Sequence, residues 1–180
     1  MTTSHSTEKR VLAIDPASRG FGFAVLEGPA HLIDWGVIES RKRKKQRTLV
    51  QVARLMQLYH PDVLVLEDCL GRGSRRAPRI QELIGALQSL AVRRGIPVRH
   101  FSPAEVKAVI CHSATRTKRE VATAIAQRLP ELAQRLPRPR LPWTSEDSRT
   151  NIFDSVALGV AYFDGRVRRR RGGALGNVEA

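Results

Sequence analysis

Two apolar runs of this chain end on acids, and that pattern constrains the fold more than any other feature. Val11-Leu12-Ala13-Ile14 leads into Asp15, then Pro16, a Gly-containing turn and a second apolar run through Val25. Val63-Leu64-Val65-Leu66 leads into Glu67 and Asp68. Short unbroken apolar runs predict strands buried on both faces. An acid at the end of such a strand is costly unless it is paired or holds a metal. A third acid, Asp154, is placed in the first turn of an apolar C-terminal helix, where the helix dipole favours a carboxylate. Singly, Asp15 reads equally well as an Asp-Pro turn, and Asp154 reads better as an N-terminal helix charge. Glu67 is harder to dismiss, and the combination carries the inference. Rigid carboxylates on separate elements are what two-metal phosphodiester hydrolysis needs, with metals roughly 3.5–4 Å apart clamping the attacking and leaving oxygens. Mg²⁺ is the hard cation that prefers such oxygen ligands.

Charge supplies the partner. The 180 residues hold 31 Lys plus Arg against 17 Asp plus Glu, a formal charge of +14. That excess predicts a polyanion, with nucleic acid ahead of an anionic membrane surface. No apolar run approaches the roughly 18 residues of a membrane span. The polar residues 1–10 give no sign of a signal peptide. The two cysteines, Cys69 and Cys111, form neither a disulfide framework nor a zinc pattern, which fits a reducing cytoplasm. Aromatic residues make up only 5%, which disfavours a stacking platform for single strands.

The order of elements is β-β-β-α-β-α-β-α-α-α. Strands are expected near 11–15, 21–27 and 31–39 as an antiparallel meander, then at 63–67 and 96–101. Ile80, Leu83, Ile84, Leu87, Leu90 and Ala91 mark an amphipathic helix that Gly95 ends. Ser102-Pro103-Ala104-Glu105 and Thr117-Lys118-Arg119-Glu120 are capping boxes. Residues 130–143, with four prolines, predict an irregular loop. The fold class is therefore α/β, a mixed five-stranded sheet of meander plus parallel strands with helices on both faces. Residues 1–10 are expected to form a polar arm, 11–166 the domain and 167–180 a basic, Gly-rich tail.

These motifs, taken in order, resemble the RuvC-like Holliday junction resolvases of the RNase H-like nuclease fold. The family pattern of an apolar strand, Asp-Pro-Gly and a later Gly is matched by Ile14-Asp15-Pro16-Ala17 through Gly22. Pro61-Asp62-Val63-Leu64-Val65-Leu66-Glu67 matches its second acid. Pro103-Ala104-Glu105-Val106-Lys107 matches its Pro-x-x-Val-Lys, Lys118 a further lysine before a helix, and Asp154-Ser155-Val156-Ala157 its Asp-Ala-Leu-Ala. The resemblance covers roughly residues 10–164. It implies a homodimeric, Mg²⁺-dependent endonuclease, with Mn²⁺ substituting, that nicks two symmetric strands of a four-way junction in recombination and repair. A branch-migration helicase is the implied further partner, and a bacterial or phage genome the implied source. Asp15, Glu67 and Asp154 would hold the metals. Lys107 and Lys118 would contact phosphate or stabilise developing charge.

Three departures stand out. The family's fourth acid is Asn151 here, which offers an oxygen without charge; Asp147 or Glu146 are the alternative donors. Ala17 replaces a glycine. Leu70 stands where the family places a junction-wedging aromatic. Arg72, Arg75, Arg76 and Arg79 follow Glu67 closely enough to flank the scissile strand, in and beyond a Gly-containing loop, while Lys42, Lys44, Lys45 and Arg168–Arg171 track outer arms. Alternative readings are a junction-binding protein of this fold with weak or no catalysis, and an RNase H-like nuclease acting on RNA–DNA hybrid or flaps. A sugar-kinase-like ATPase is disfavoured, because the chain is too short for two lobes.

Overall fold

The computed structural model describes residues 8–39, 44–69, 76–137 and 149–173, with the side chains of Lys44 and of 166–173 outside that description. β1 (Arg10–Ala17), β2 (Gly20–Glu27) and β3 (Leu32–Glu39) form the meander. α1 (Lys44–Tyr59) leads to β4 (Val63–Glu67), which lies parallel to β1. α2 (Pro78–Arg93) leads to β5 (Val98–Phe101), parallel to β4. α3 (Pro103–Cys111), α4 (Lys118–Arg128), a 3-10 helix (Pro130–Arg135) and α5 (Thr150–Gly173) complete the described chain. The sheet order is β3-β2-β1-β4-β5, the mixed sheet expected from the sequence.

Side-chain alternation divides the sheet into two cores. Leu12, Ile14, Val25, Leu64 and Leu66 face one way and pack on α1 and α2. Val11, Ala13, Ala24, Val63 and Val65 face the other way and pack on α4 and α5. Helices therefore cover both faces. The buried side of α2 is Ile80, Leu83, Ile84, Leu87, Leu90 and Ala91, as its spacing predicted. α5 lies across β1 and β2, with Phe153, Val156, Val160 and Ala161 almost fully buried. Burying Phe153, Val156 and Val160 contributes roughly 1.5–3 kcal/mol each, so α5 is anchored firmly.

Two positions explain how close α5 comes. A Cβ on Gly22 would stand 2.0 Å from the Asn151 carbonyl oxygen, and one on Gly159 would stand 2.4 Å from Leu26 Cδ1. Both capping boxes are present: Ser102 and Thr117 accept from the backbones of Glu105 and Glu120, whose carboxylates reach back. His112, in left-handed conformation at φ 56°, caps α3 just after Cys111.

Local expectations are corrected in three places. The β1–β2 turn is Ser18-Arg19, not the Asp-Pro step, because β1 continues through Ala17 and Pro16 pairs with Phe21. Pro16 fits there because β1 pairs with β4 only along Val11–Ile14, so no ladder bond is asked of its nitrogen on that side. Residues 130–135, expected to be irregular, form a 3-10 helix with Pro130 in its first turn and Leu132 fully buried. α5 starts at Thr150, which leaves its first turn without an acid; Asp154 lies beyond it, so the end dipole acts on it only weakly.

Candidate active site

Asp15 shares the sheet face of Val11 and Ala13, and Glu67 shares the face of Val63 and Val65. That is the face α5 covers, and Asp154 comes down onto it from α5. The three carboxylates line one cleft of about 210 Å³ with Arg76, Lys107 and Lys118. Phe101 and Val106 supply part of its apolar wall.

The acids are already engaged. Arg76 donates Nε to both Glu67 oxygens at 3.0 and 3.1 Å. Its Nη2 donates to Asp15 Oδ1 at 2.9 Å and also contacts Glu67 Oε2. Its Nη1 reaches the Pro16 carbonyl at 3.4 Å. One guanidinium thus ties β1 to β4 from the residue that leads into α2. Lys118, the first residue of α4, donates Nζ to Asp154 Oδ2 at 2.8 Å. The capping box fixes the start of α4 and so sets where that lysine begins.

Burial and charge act together on Asp15, whose side chain is only 3% exposed. Burial first, then repulsion from Asp154, pushes its carboxyl up to about 8, against the opposing pull of Arg76. The same acids hold the Arg76 guanidinium firmly protonated, chiefly through its hydrogen bonds to Glu67.

These residues fit a hard cation. Two carboxylates on adjacent strands converge on a single cationic nitrogen, and the donors are all oxygens. Among the described residues no trio of His, Cys, Asp or Glu is gathered at metal-coordinating geometry. Asp15 and Glu67 instead sit at hydrogen-bond distance from Arg76, and Asp154 from Lys118.

Other sequence-predicted residues are distributed differently. Asn151 lies in the first turn of α5, three residues before Asp154, with its backbone against Gly22; it does not line the cleft. Arg79 is exposed in the first turn of α2. Lys45 is exposed on α1, 3.6 Å from Glu82. Lys42, Arg72, Arg75, Glu146, Asp147, Leu70 and the Lys44 side chain lie outside the described residues. Cys69 is a buried thiol in the core beside α2, in keeping with a packing role. The sequence expects Arg76 to flank the scissile strand; the structure shows in addition that it pairs with Asp15 and Glu67. That pairing was missed because Arg76 lies 61 residues from Asp15, and four arginines follow Glu67 with nothing in the sequence to distinguish them. Phe101 was also missed as a cleft residue; its β5 pairing with Glu67 was the available signal.

A five-stranded mixed sheet carrying acids on two adjacent strands, with a third on the helix across them, defines a nuclease of the RNase H-like class. The model of the family described as "Crossover junction endodeoxyribonuclease RuvC" matches residues 11–140. The chain belongs to this family of metal-dependent nucleases. A Thermomicrobium roseum crossover junction endodeoxyribonuclease RuvC is 31% identical over 162 residues, covering 86% of this chain and 92% of that protein. One from Chlorobium phaeovibrioides is 27% identical, covering 86% and 79%. Thermus thermophilus RuvC in complex with Holliday junction substrate superimposes with a TM-score of 0.67 at 20% identity, covering 89% of this chain and 96% of that one. The fowlpox virus resolvase in its complex with Holliday junction DNA gives 0.54 at 17% identity, covering 88% and 99%. At those identities the structures bear on the fold alone. No described helix is long and apolar enough to cross a membrane.

Proposed function

We propose that this chain resolves four-way DNA junctions by paired symmetric nicks, using Mg²⁺ held by Asp15, Glu67 and Asp154. The observation that carries the site assignment is the convergence of Asp15 and Glu67 on one cation, in a cleft that Asp154, Lys107 and Lys118 complete. A divalent ion there supplies an activated water and neutralises charge on the phosphate oxygens. The protein's own part is positional. Asp15 and Glu67 are fixed by neighbouring strands and Asp154 by a buried helix, so the backbones that carry the ligands are held in place while their side chains adjust to the metal. Lys107 and Lys118 enter from α3 and α4 to hold the scissile phosphate and offset its developing charge. The apolar wall limits water on one side of the reacting group. Mn²⁺ substitutes for Mg²⁺. A two-fold junction calls for two active sites, so the working form is a homodimer in the cytoplasm, handed its substrate by a branch-migration helicase.

The test is a panel of labelled substrates with Mg²⁺ or Mn²⁺: a four-way junction with an immobile core, linear duplex of the same sequence, and RNA–DNA hybrid. Symmetric nicks confined to the junction are expected. Cleavage of hybrid instead would keep the fold and move the substrate. Tight junction binding without nicks under either metal would leave a binding protein.

A further inference from the structure

We propose that Arg76 is a resident counter-cation that occupies the metal-ligand oxygens of Asp15 and Glu67 in the DNA-free protein and gives them up when a DNA phosphate takes its guanidinium. This rests on the nuclease reading of the same site. Three observations lead to it. First, Arg76 uses two nitrogens on Glu67 and shares one of them with Asp15, so it spans both carboxylates at once. A metal held by these acids would compete with Arg76 for the Glu67 oxygens and, at close range, for the same negative charge, so the two occupants would oppose each other. Second, the guanidinium fork matches carboxylate and phosphate alike, so a phosphodiester is a ready alternative partner. Third, the Arg76 side chain is 30% exposed while Asp15 is 3% and Glu67 12% exposed. The arginine therefore lies between the buried acids and solvent, where incoming DNA meets it first.

Lys118 donates Nζ to Asp154 Oδ2, and its side chain is 54% exposed, against 30% for Arg76. It sits nearer solvent than Arg76 does, beside the third acid. Arg76 is thus a positioning residue that acts through metal occupancy. Metal and junction binding become coupled through it, and by linkage each strengthens the other. Metal loading is weak until the correct phosphate is present, which suits an enzyme whose cuts must be confined to branched DNA.

The test is a Mn²⁺ titration of the full DNA-free protein, read by electron paramagnetic resonance. The proteins compared are wild type, Arg76→Gln, Arg76→Lys, Lys107→Gln and Glu67→Gln. Occupancy predicts that Arg76→Gln binds Mn²⁺ at least about tenfold more tightly than wild type, equivalent to 1.4 kcal/mol. Arg76→Lys keeps the charge but cannot span both acids, so it too binds more tightly than wild type. Lys107→Gln removes a cleft cation for which no bond to Asp15 or Glu67 is seen among the described residues, and moves affinity less. If Arg76→Gln does not fold without metal, Arg76→Lys against wild type decides the matter. Unchanged or weaker Mn²⁺ affinity in Arg76→Lys, with binding still lost in Glu67→Gln, would overturn the occupancy role and leave the metal site standing. Absence of any Mn²⁺ binding that depends on Glu67 would overturn the nuclease reading as well.

Discussion

Replacing Gly22 by alanine sets two layers of the molecule against each other. Gly22 pairs with Asp15 across the β1–β2 hairpin, and the start of α5 rests on it. An added Cβ would lie 2.0 Å from the Asn151 carbonyl oxygen and 2.6 Å from its carbon, both backbone atoms that no rotamer change can move aside. The helix start must withdraw by roughly 1 Å or the hairpin must bend. Overpacking of this kind costs about 1–3 kcal/mol, and the upper part of that range applies because the obstacle is backbone. For a domain of this size each kcal/mol shifts the melting temperature by roughly 2–4 °C, so Gly22→Ala melts about 5–10 °C below wild type. Asp154 lies three residues beyond Asn151 on the same helix, and a displacement near 1 Å at a catalytic group costs on the order of 10²-fold in rate. Gly85→Ala is the matched control. Nothing lies within 4 Å of its added Cβ, and the site is an exposed helix interior. There alanine gains roughly 0.5–1 kcal/mol and the melting temperature rises by a few degrees with cleavage unchanged. Thermal melts followed by calorimetry, alongside junction cleavage, read both. A Gly22→Ala protein that melts within 1 °C of wild type and cuts at full rate would refute the close-approach reasoning.

Asp15 makes the metal-free protein sensitive to pH. Its carboxyl ordinarily titrates near 3.8 and is pushed up to about 8 in the fold, so the folded state keeps a proton that the unfolded chain has released. Stability is therefore greatest at the acid end of that window and falls as pH rises from about 4 to 8, by up to about 1.4 kcal/mol per pH unit from this group. Asp15→Asn removes that slope, which urea unfolding in chelator at pH 5, 6, 7 and 8 measures; parallel profiles for the two proteins would contradict the assignment. Thr117→Ala removes the acceptor for the Glu120 amide at the start of α4 and costs about 1 kcal/mol, or roughly 2–4 °C in a thermal melt. No change on melting would mean that packing alone sets the start of α4.

The sheet and its helices were legible because their signals are local and periodic. The α2 stripe, both capping boxes and the apolar run of β4 each follow from spacing within about a dozen residues. Asp15 and Glu67 were legible for a related reason, since an acid closing an apolar strand is costly enough to stand out, whereas Asp154 was singled out only in combination with them. Contacts set by the third dimension were not legible. The choice of Arg76 among the arginines after Glu67 depends on where the chain re-enters before α2. The position of the first hairpin turn depends on how far β4 runs beside β1, since only beyond Ile14 is Pro16 released from the ladder. Asp154, expected in the first turn of its helix, was misplaced by part of a turn because α5 begins earlier, at Thr150. The resemblance of five ordered motifs supplied the substrate class, which no single residue in the cleft specifies.

Glu67→Gln tests the central claim most directly, because it removes one charge, keeps the side chain's size and touches the acid whose burial on a core strand first suggested a metal site. The measurement is strand-specific nicking of a four-way junction in Mg²⁺, with junction affinity measured in parallel. Symmetric paired nicks by the wild-type protein, reduced at least about 10³-fold in Glu67→Gln with junction affinity retained, are the predicted result. Equal nicking by both proteins would place the chemistry elsewhere and contradict the carboxylate site.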